Sequence, residues 1–106
     1  MGLSVIAVYR PREGREDELL DVMRDHLPVL RQEGLASGAE PVVLRTGDGT
    51  LIEVFEWASE DAVRHAHENA RVQELWNRFA AVSDNVPLAE VPAARERFAT
   101  VERVEL

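Results

Sequence analysis

The run LIEVFEWASEDAVRHAHENARVQELWNRF, Leu51 to Phe79, decides the fold of this chain. Leu51 to Trp57 has the β-branched and aromatic content of a strand. It leads directly to Ser59, whose hydroxyl suits a helix N-cap, with Glu60 and Asp61 in the first turn where the helix dipole favours acids. The helical pattern beyond does not describe one straight rod. Ala62, Val63, Ala66 and Ala70 centre on one direction. Val72, Leu75, Trp76, Phe79 and Val82 centre on another, roughly 150° away when the 100° step is continued. A joint is therefore expected between His67 and Arg71, with Asn69 placed to cap a second helix. Helix-end N–H and C=O groups make such a joint a natural lip for a small cavity, with His67 on one side and Asn69 and Trp76 on the other.

Upstream, Val42 to Leu44 and Leu51 to Trp57 read as the arms of a hairpin around the turn Thr46-Gly47-Asp48-Gly49-Thr50. Leu3 to Arg10 alternates as a strand, with Leu3, Val5, Ala7 and Tyr9 on one face and Ile6 and Val8 on the other. Both faces are apolar, so each needs a cover. Glu16, Asp17 and Glu18 open a helix whose stripe is Leu19, Leu20, Met23, Leu27 and Leu30. Pro28 falls on the opposite side of the wheel, where it bends the helix without breaking the buried face. Gly34 ends it. Downstream, Val86 begins an irregular connection with a short helix over Ala89 to Arg95, and Phe98 to Val104 reads as a closing strand.

The order strand, helix, strand, strand, broken helix, strand predicts a ferredoxin-like α+β fold: a four-stranded antiparallel sheet with its helices on one face. Two helices cover only one face. The simplest cover for the second is another copy of the sheet, which predicts a homodimer packed sheet to sheet, a dimeric α+β barrel.

A length of 106 residues suits a single domain over 1–106. The chain has no cysteine, which excludes disulfides and thiolate chemistry. All twelve basic residues are arginine, which excludes a lysine Schiff base, and with thirteen alanines the composition fits a GC-rich bacterial genome. A net charge of −8 repels phosphate backbones and argues against nucleic acid. No apolar run is long enough to span a membrane, and the first residues lack a signal-peptide pattern, so a cytoplasmic protein is expected.

Several residues are candidates for chemistry. His65 and His67 stand two apart, about 160° from one another on a helix, so they do not share a metal; no metal or cofactor is expected. His67 reads either as a pocket acid or base or as a hydrogen-bonded flank histidine. His26 lies at the edge of the first helix's apolar stripe, where it either faces a cavity or sits satisfied at the core edge. Trp76 and Phe79 at helical spacing read as ligand-contacting walls or as plain core. Glu53 shares a face with Leu51 and Phe55 and interrupts an apolar row, so it needs a partner such as Arg45 or His67. It reads either as one half of a structural ion pair across the dimer or as a general base for proton abstraction from a phenol or enol.

The segment Phe55-Glu56-Trp57-Ala58-Ser59-Glu60-Asp61-Ala62, followed by His67, Asn69 and Val72-Gln73-Glu74-Leu75-Trp76, resembles the antibiotic biosynthesis monooxygenase-like group of dimeric α+β barrels. The element order is similar across nearly the whole chain. That superfamily includes cofactor-independent oxygenases of aromatic polyketides, haem-degrading enzymes, isomerases and ligand-sensing modules. Its haem-degrading branch uses an asparagine on the first strand and a tryptophan followed by a histidine. Here Leu3 to Tyr9 holds no asparagine and Trp76 follows His67, so haem is not expected as a ligand. The polyketide oxygenases use asparagine, tryptophan and tyrosine to bind a phenolic substrate whose own carbanion reacts with oxygen. The residues of those types here are Asn69, Trp76 and Tyr9. The resemblance thus implies a cofactor-free monooxygenase or related enzyme acting on a cyclic, largely apolar substrate. Taken with the residue readings above, His67, Glu53 and Asn69 are the catalytic candidates, and Tyr9, His26, Trp76 and Phe79 are expected around the substrate. The alternatives are a dimeric protein that binds a small apolar or aromatic ligand without turnover, and a stress-related assembly module whose cavity is filled by side chains.

Overall fold

A computed structural model of the chain describes residues 2–106. Among these residues the order is β1 (Leu3–Pro11), α1 (Glu16–Gln32), β2 (Val42–Arg45), β3 (Leu51–Trp57), α2 (Glu60–Glu68), α3 (Ala70–Val82), β4 (Ser83–Val86) and β5 (Glu102–Arg103). Two short 3₁₀ turns, Leu88–Glu90 and Pro92–Arg95, separate the last two strands. The strands form one open antiparallel sheet in the order β4-β1-β3-β2-β5. Its β4-β1-β3-β2 portion, with the helices packed on one side, is compatible with a ferredoxin-like layout.

The sheet therefore has five strands where four are expected. Ser83-Asp84-Asn85-Val86 carries no apolar alternation, because β4 is a short edge strand with most of its side chains in water. Pairing with Val8 to Pro11 of β1 holds it, together with the Asn85 amide donating to the Val8 carbonyl at 2.9 Å. The expected closing strand, Phe98 to Val104, shortens to Glu102–Arg103 on the other edge, against Leu44 and Arg45.

The centre of the sheet is the β1–β3 pair. Val5 stands opposite Phe55, Ala7 opposite Glu53 and Tyr9 opposite Leu51, and directly opposed residues share a face. That face meets the helices. α1 buries Leu19, Val22, Met23, His26, Leu27 and Leu30 against it. The stripe thus includes Val22 and His26, while Leu20 is only partly buried. Pro28 lies inside α1 on its exposed side, and Gly34 closes the helix at φ 74°, a left-handed conformation that a Cβ disfavours.

The joint lies at Asn69. Its side chain accepts from the Val72 N–H at 3.1 Å and so starts α3, just as Ser59 starts α2 by accepting from Ala62. The Asn69 amide also donates to Glu33 at 2.8 Å, and Arg71 reaches the other Glu33 oxygen at 2.9 Å. The tilt that redirects the apolar stripe is thereby tied to the end of α1.

The second face of the sheet is partly covered by the chain itself. Val91, from the segment between the 3₁₀ turns, packs on Val8 and Ile52, and Arg10 holds that segment through the Glu90 carbonyl at 2.7 Å. Ile6 remains exposed on this face, and Phe98 further along is 86% exposed.

Candidate functional site

Small side chains create a space between sheet and helices. β1 presents Val5 and Ala7, and α3 presents Ala80, around a cavity of about 520 Å³. Larger aromatic groups wall it. Tyr9 stacks on Phe79 with ring centroids 4.6 Å apart. His26 meets Phe55 and Phe79 edge-on at 5.1 and 5.0 Å, and Phe55 meets Trp57 in the same way at 5.2 Å. Such T-shaped contacts direct ring edges at ring faces and fix each plane.

His26 Nδ1 lies 2.7 Å from Glu53 Oε1. The partner of Glu53 is therefore His26, not Arg45 or His67. Arg45 bonds Glu16 and Glu102 at the sheet edge, and His67 is exposed, edge-on to Trp76 at 5.0 Å. Glu53 has no exposure at all, because it sits on the central strand beneath α1. Among the described residues its second oxygen, Oε2, has no hydrogen-bond partner. A buried unsatisfied group of this kind costs about 1–3 kcal/mol and marks a place for a water, a proton or a ligand.

At 2.7 Å the Glu53 carboxylate accepts from His26 Nδ1, and in the neutral ring of that tautomer Nε2 carries the lone pair. Because the His26 ring lines the cavity, Nε2 is the nitrogen available to a bound molecule. Tyr9 complements it. Burial, with a smaller contribution from the Glu53 charge, pushes the Tyr9 phenol far above its ordinary value. It stays neutral and able to donate.

The structure thus brings Tyr9, His26, Trp76 and Phe79 to one cavity, with Glu53 directly behind His26. It does not bring His67 or Asn69 there: neither lines the cavity, and the Asn69 side chain is occupied by the α3 cap and by Glu33. Sequence reasoning missed the walls formed by Phe55 and Trp57 and the polar opening formed by Arg12, Ser83, Asp84 and Asn85. One signal for the His26–Glu53 pair was present: each residue interrupts an apolar stripe on elements that face each other.

No protein-family model, no curated protein and no solved structure matches this chain. Among the described residues no helix is long and apolar enough to cross a membrane, and no group of three or more histidine, aspartate or glutamate side chains is disposed to hold a metal ion.

Proposed function

We propose that this chain is a dimeric α+β barrel of the antibiotic biosynthesis monooxygenase-like kind, acting without a cofactor on a cyclic, largely apolar substrate in the helix–sheet cavity. The observation that carries the reading is the His26–Glu53 pair set in an aromatic wall, because it supplies an oriented base where an apolar ring would lie. Glu53 holds the tautomer, and Nε2 of His26 takes a proton from an acidic C–H or O–H of the substrate. Tyr9 donates to the substrate oxygen on which the negative charge settles. The carbanion then gives its electrons to molecular oxygen. A ring methylene becomes a carbonyl, one oxygen atom enters the product, and the other leaves as water with both methylene hydrogens.

Oxygen uptake with an anthrone tests this. The expected result is one O₂ consumed per quinone formed, with uptake lost in His26→Gln while the probe still binds. Binding of the anthrone without uptake by the unaltered protein would leave the cavity as a binding site and remove the oxygenase.

The dimer belongs to the same proposal. Ile6 is exposed on the sheet face away from the helices, and a second copy placed face to face would cover it.

A further inference from the structure

The cavity is apolar along its walls but not at its opening, and the polar groups there are not equivalent. The Ser83 hydroxyl donates to the Phe79 carbonyl at 2.8 Å, and the Asn85 amide donates to the Val8 carbonyl at 2.9 Å. The Ser83 hydroxyl and one Asn85 N–H are thereby committed to the backbone. Arg12 differs. It is the single arginine or lysine on the cavity lining among the described residues, and its guanidinium meets Asp84 in one contact of 3.4 Å with about half its side chain in solvent. A guanidinium has five N–H donors in a rigid fork, and the one contact with Asp84 leaves most of them without a side-chain partner among the described residues. Its backbone is anchored, because the Arg12 main-chain N–H donates to the Val82 carbonyl at 2.8 Å next to the Pro11–Ser83 pairing.

The geometry points to Arg12 as the residue that selects the substrate, by holding an anionic group, a carboxylate in the simplest case, at the opening while the ring system lies against Tyr9 and Phe79. The inference rests on the cavity being the binding site and adds the charge of the ligand. The charge balance of the molecule gives it weight. With a net charge of −8 the protein repels anions at long range, so an acidic ligand needs a local cation, and Arg12 is the one beside the cavity. Asp84 competes for that cation. Its long contact with Arg12, between two well-exposed side chains, is one that an incoming carboxylate can displace, because exposed pairs of this kind are worth little. A carboxylate bound bidentately by the guanidinium gains two parallel hydrogen bonds in its place.

The experiment compares two fluorescent probes, naphthol and hydroxynaphthoate, which share a ring system and differ by one carboxylate. Each is titrated into the unaltered protein, Arg12→Gln and Asp84→Asn. Hydroxynaphthoate should bind more tightly than naphthol, lose about fivefold in affinity in Arg12→Gln and gain about threefold in Asp84→Asn, with naphthol unchanged throughout. Added salt should weaken hydroxynaphthoate alone. Equal binding of both probes, unmoved by either substitution, would overturn the role of Arg12 and leave the cavity intact. Failure of both probes to bind the unaltered protein would overturn the cavity reading and this inference with it.

Discussion

Nδ1 of His26 lies 2.7 Å from Oε1 of Glu53, with side-chain exposures of 3% and 0%. This one contact joins the middle of α1 to the central strand and turns two polar interruptions of apolar surfaces into a single unit. Leaving one member without the other exposes the full desolvation cost of the survivor.

The pair separates stability from chemistry. His26→Leu alone should destabilise the protein by about 3–5 kcal/mol, because Glu53 is then left buried with both oxygens unmatched. Combining His26→Leu with Glu53→Met should recover most of that loss, since an apolar replacement of a buried pair is often neutral or stabilising, while turnover stays absent. Urea denaturation of the single and double variants checks the first part, and oxygen uptake checks the second.

Tyr9 is the sole tyrosine, so tyrosinate absorbance has one source. Its folded value lies above the ordinary value of 10.0. Its stabilising contribution is therefore fully present below pH 10 and is lost as pH rises beyond, because the unfolded chain releases the proton first. Tyrosinate absorbance should appear near pH 10 in urea but be delayed to higher pH in the native protein. In Tyr9→Phe the alkaline fall in stability should flatten.

At the joint, Asn69→Ala removes the α3 cap and should cost about 1 kcal/mol. The Glu33 carboxylate is held below its ordinary value of 4.5 by the Asn69 amide first and by Arg71 second. A depressed carboxylate stabilises above that value, and the contribution is lost as pH falls through the folded one. Thermal melts between pH 6 and about 3 should therefore show a shallower acid loss in Asn69→Ala than in the parent.

Trp76 and His67 touch each other but face different surroundings. Trp76 lines the cavity and is half-buried, so Trp76→Ala should weaken probe binding and cost about 2–3 kcal/mol, below a full core truncation. His67→Ala should cost about 1 kcal/mol or less and leave binding unchanged. Chemical denaturation and naphthol titration measure the two effects side by side.

Assembly is read out by sedimentation at low micromolar concentration. The unaltered chain should run as a dimer. Ile6→Asp, placed on the sheet face away from the helices, should run as a monomer with its helix–sheet core intact.

Local chemistry made much of this architecture legible. The Ser59 and Asn69 caps, the Gly34 stop and the break in the helical stripe are determined by residues within a few positions of each other, and the structure places each where the pattern predicts. The hairpin turn is equally local: Thr46 and Thr50 both bond the Asp48 carboxylate across it. The edge strand β4 was not legible, because a mostly polar tetrapeptide becomes a strand only when β1 offers it a free edge. Nor was the cover that Val91 supplies to the second face, which depends on a long-range return of the chain.

The candidate site divides along the same line. The sequence by itself determined that Glu53 and His26 each stand in an apolar row, and that Tyr9, Trp76 and Phe79 belong to surfaces turned toward a core. Only the tertiary structure decided that His26 is the partner of Glu53, that His67 stays outside, and that Arg12 comes to line the cavity. The first kind of information is periodicity, which a single element carries along its own axis. The second is the rotation of α1 over the sheet and the tilt of α3 beyond Asn69, set by how side chains from separate elements pack together.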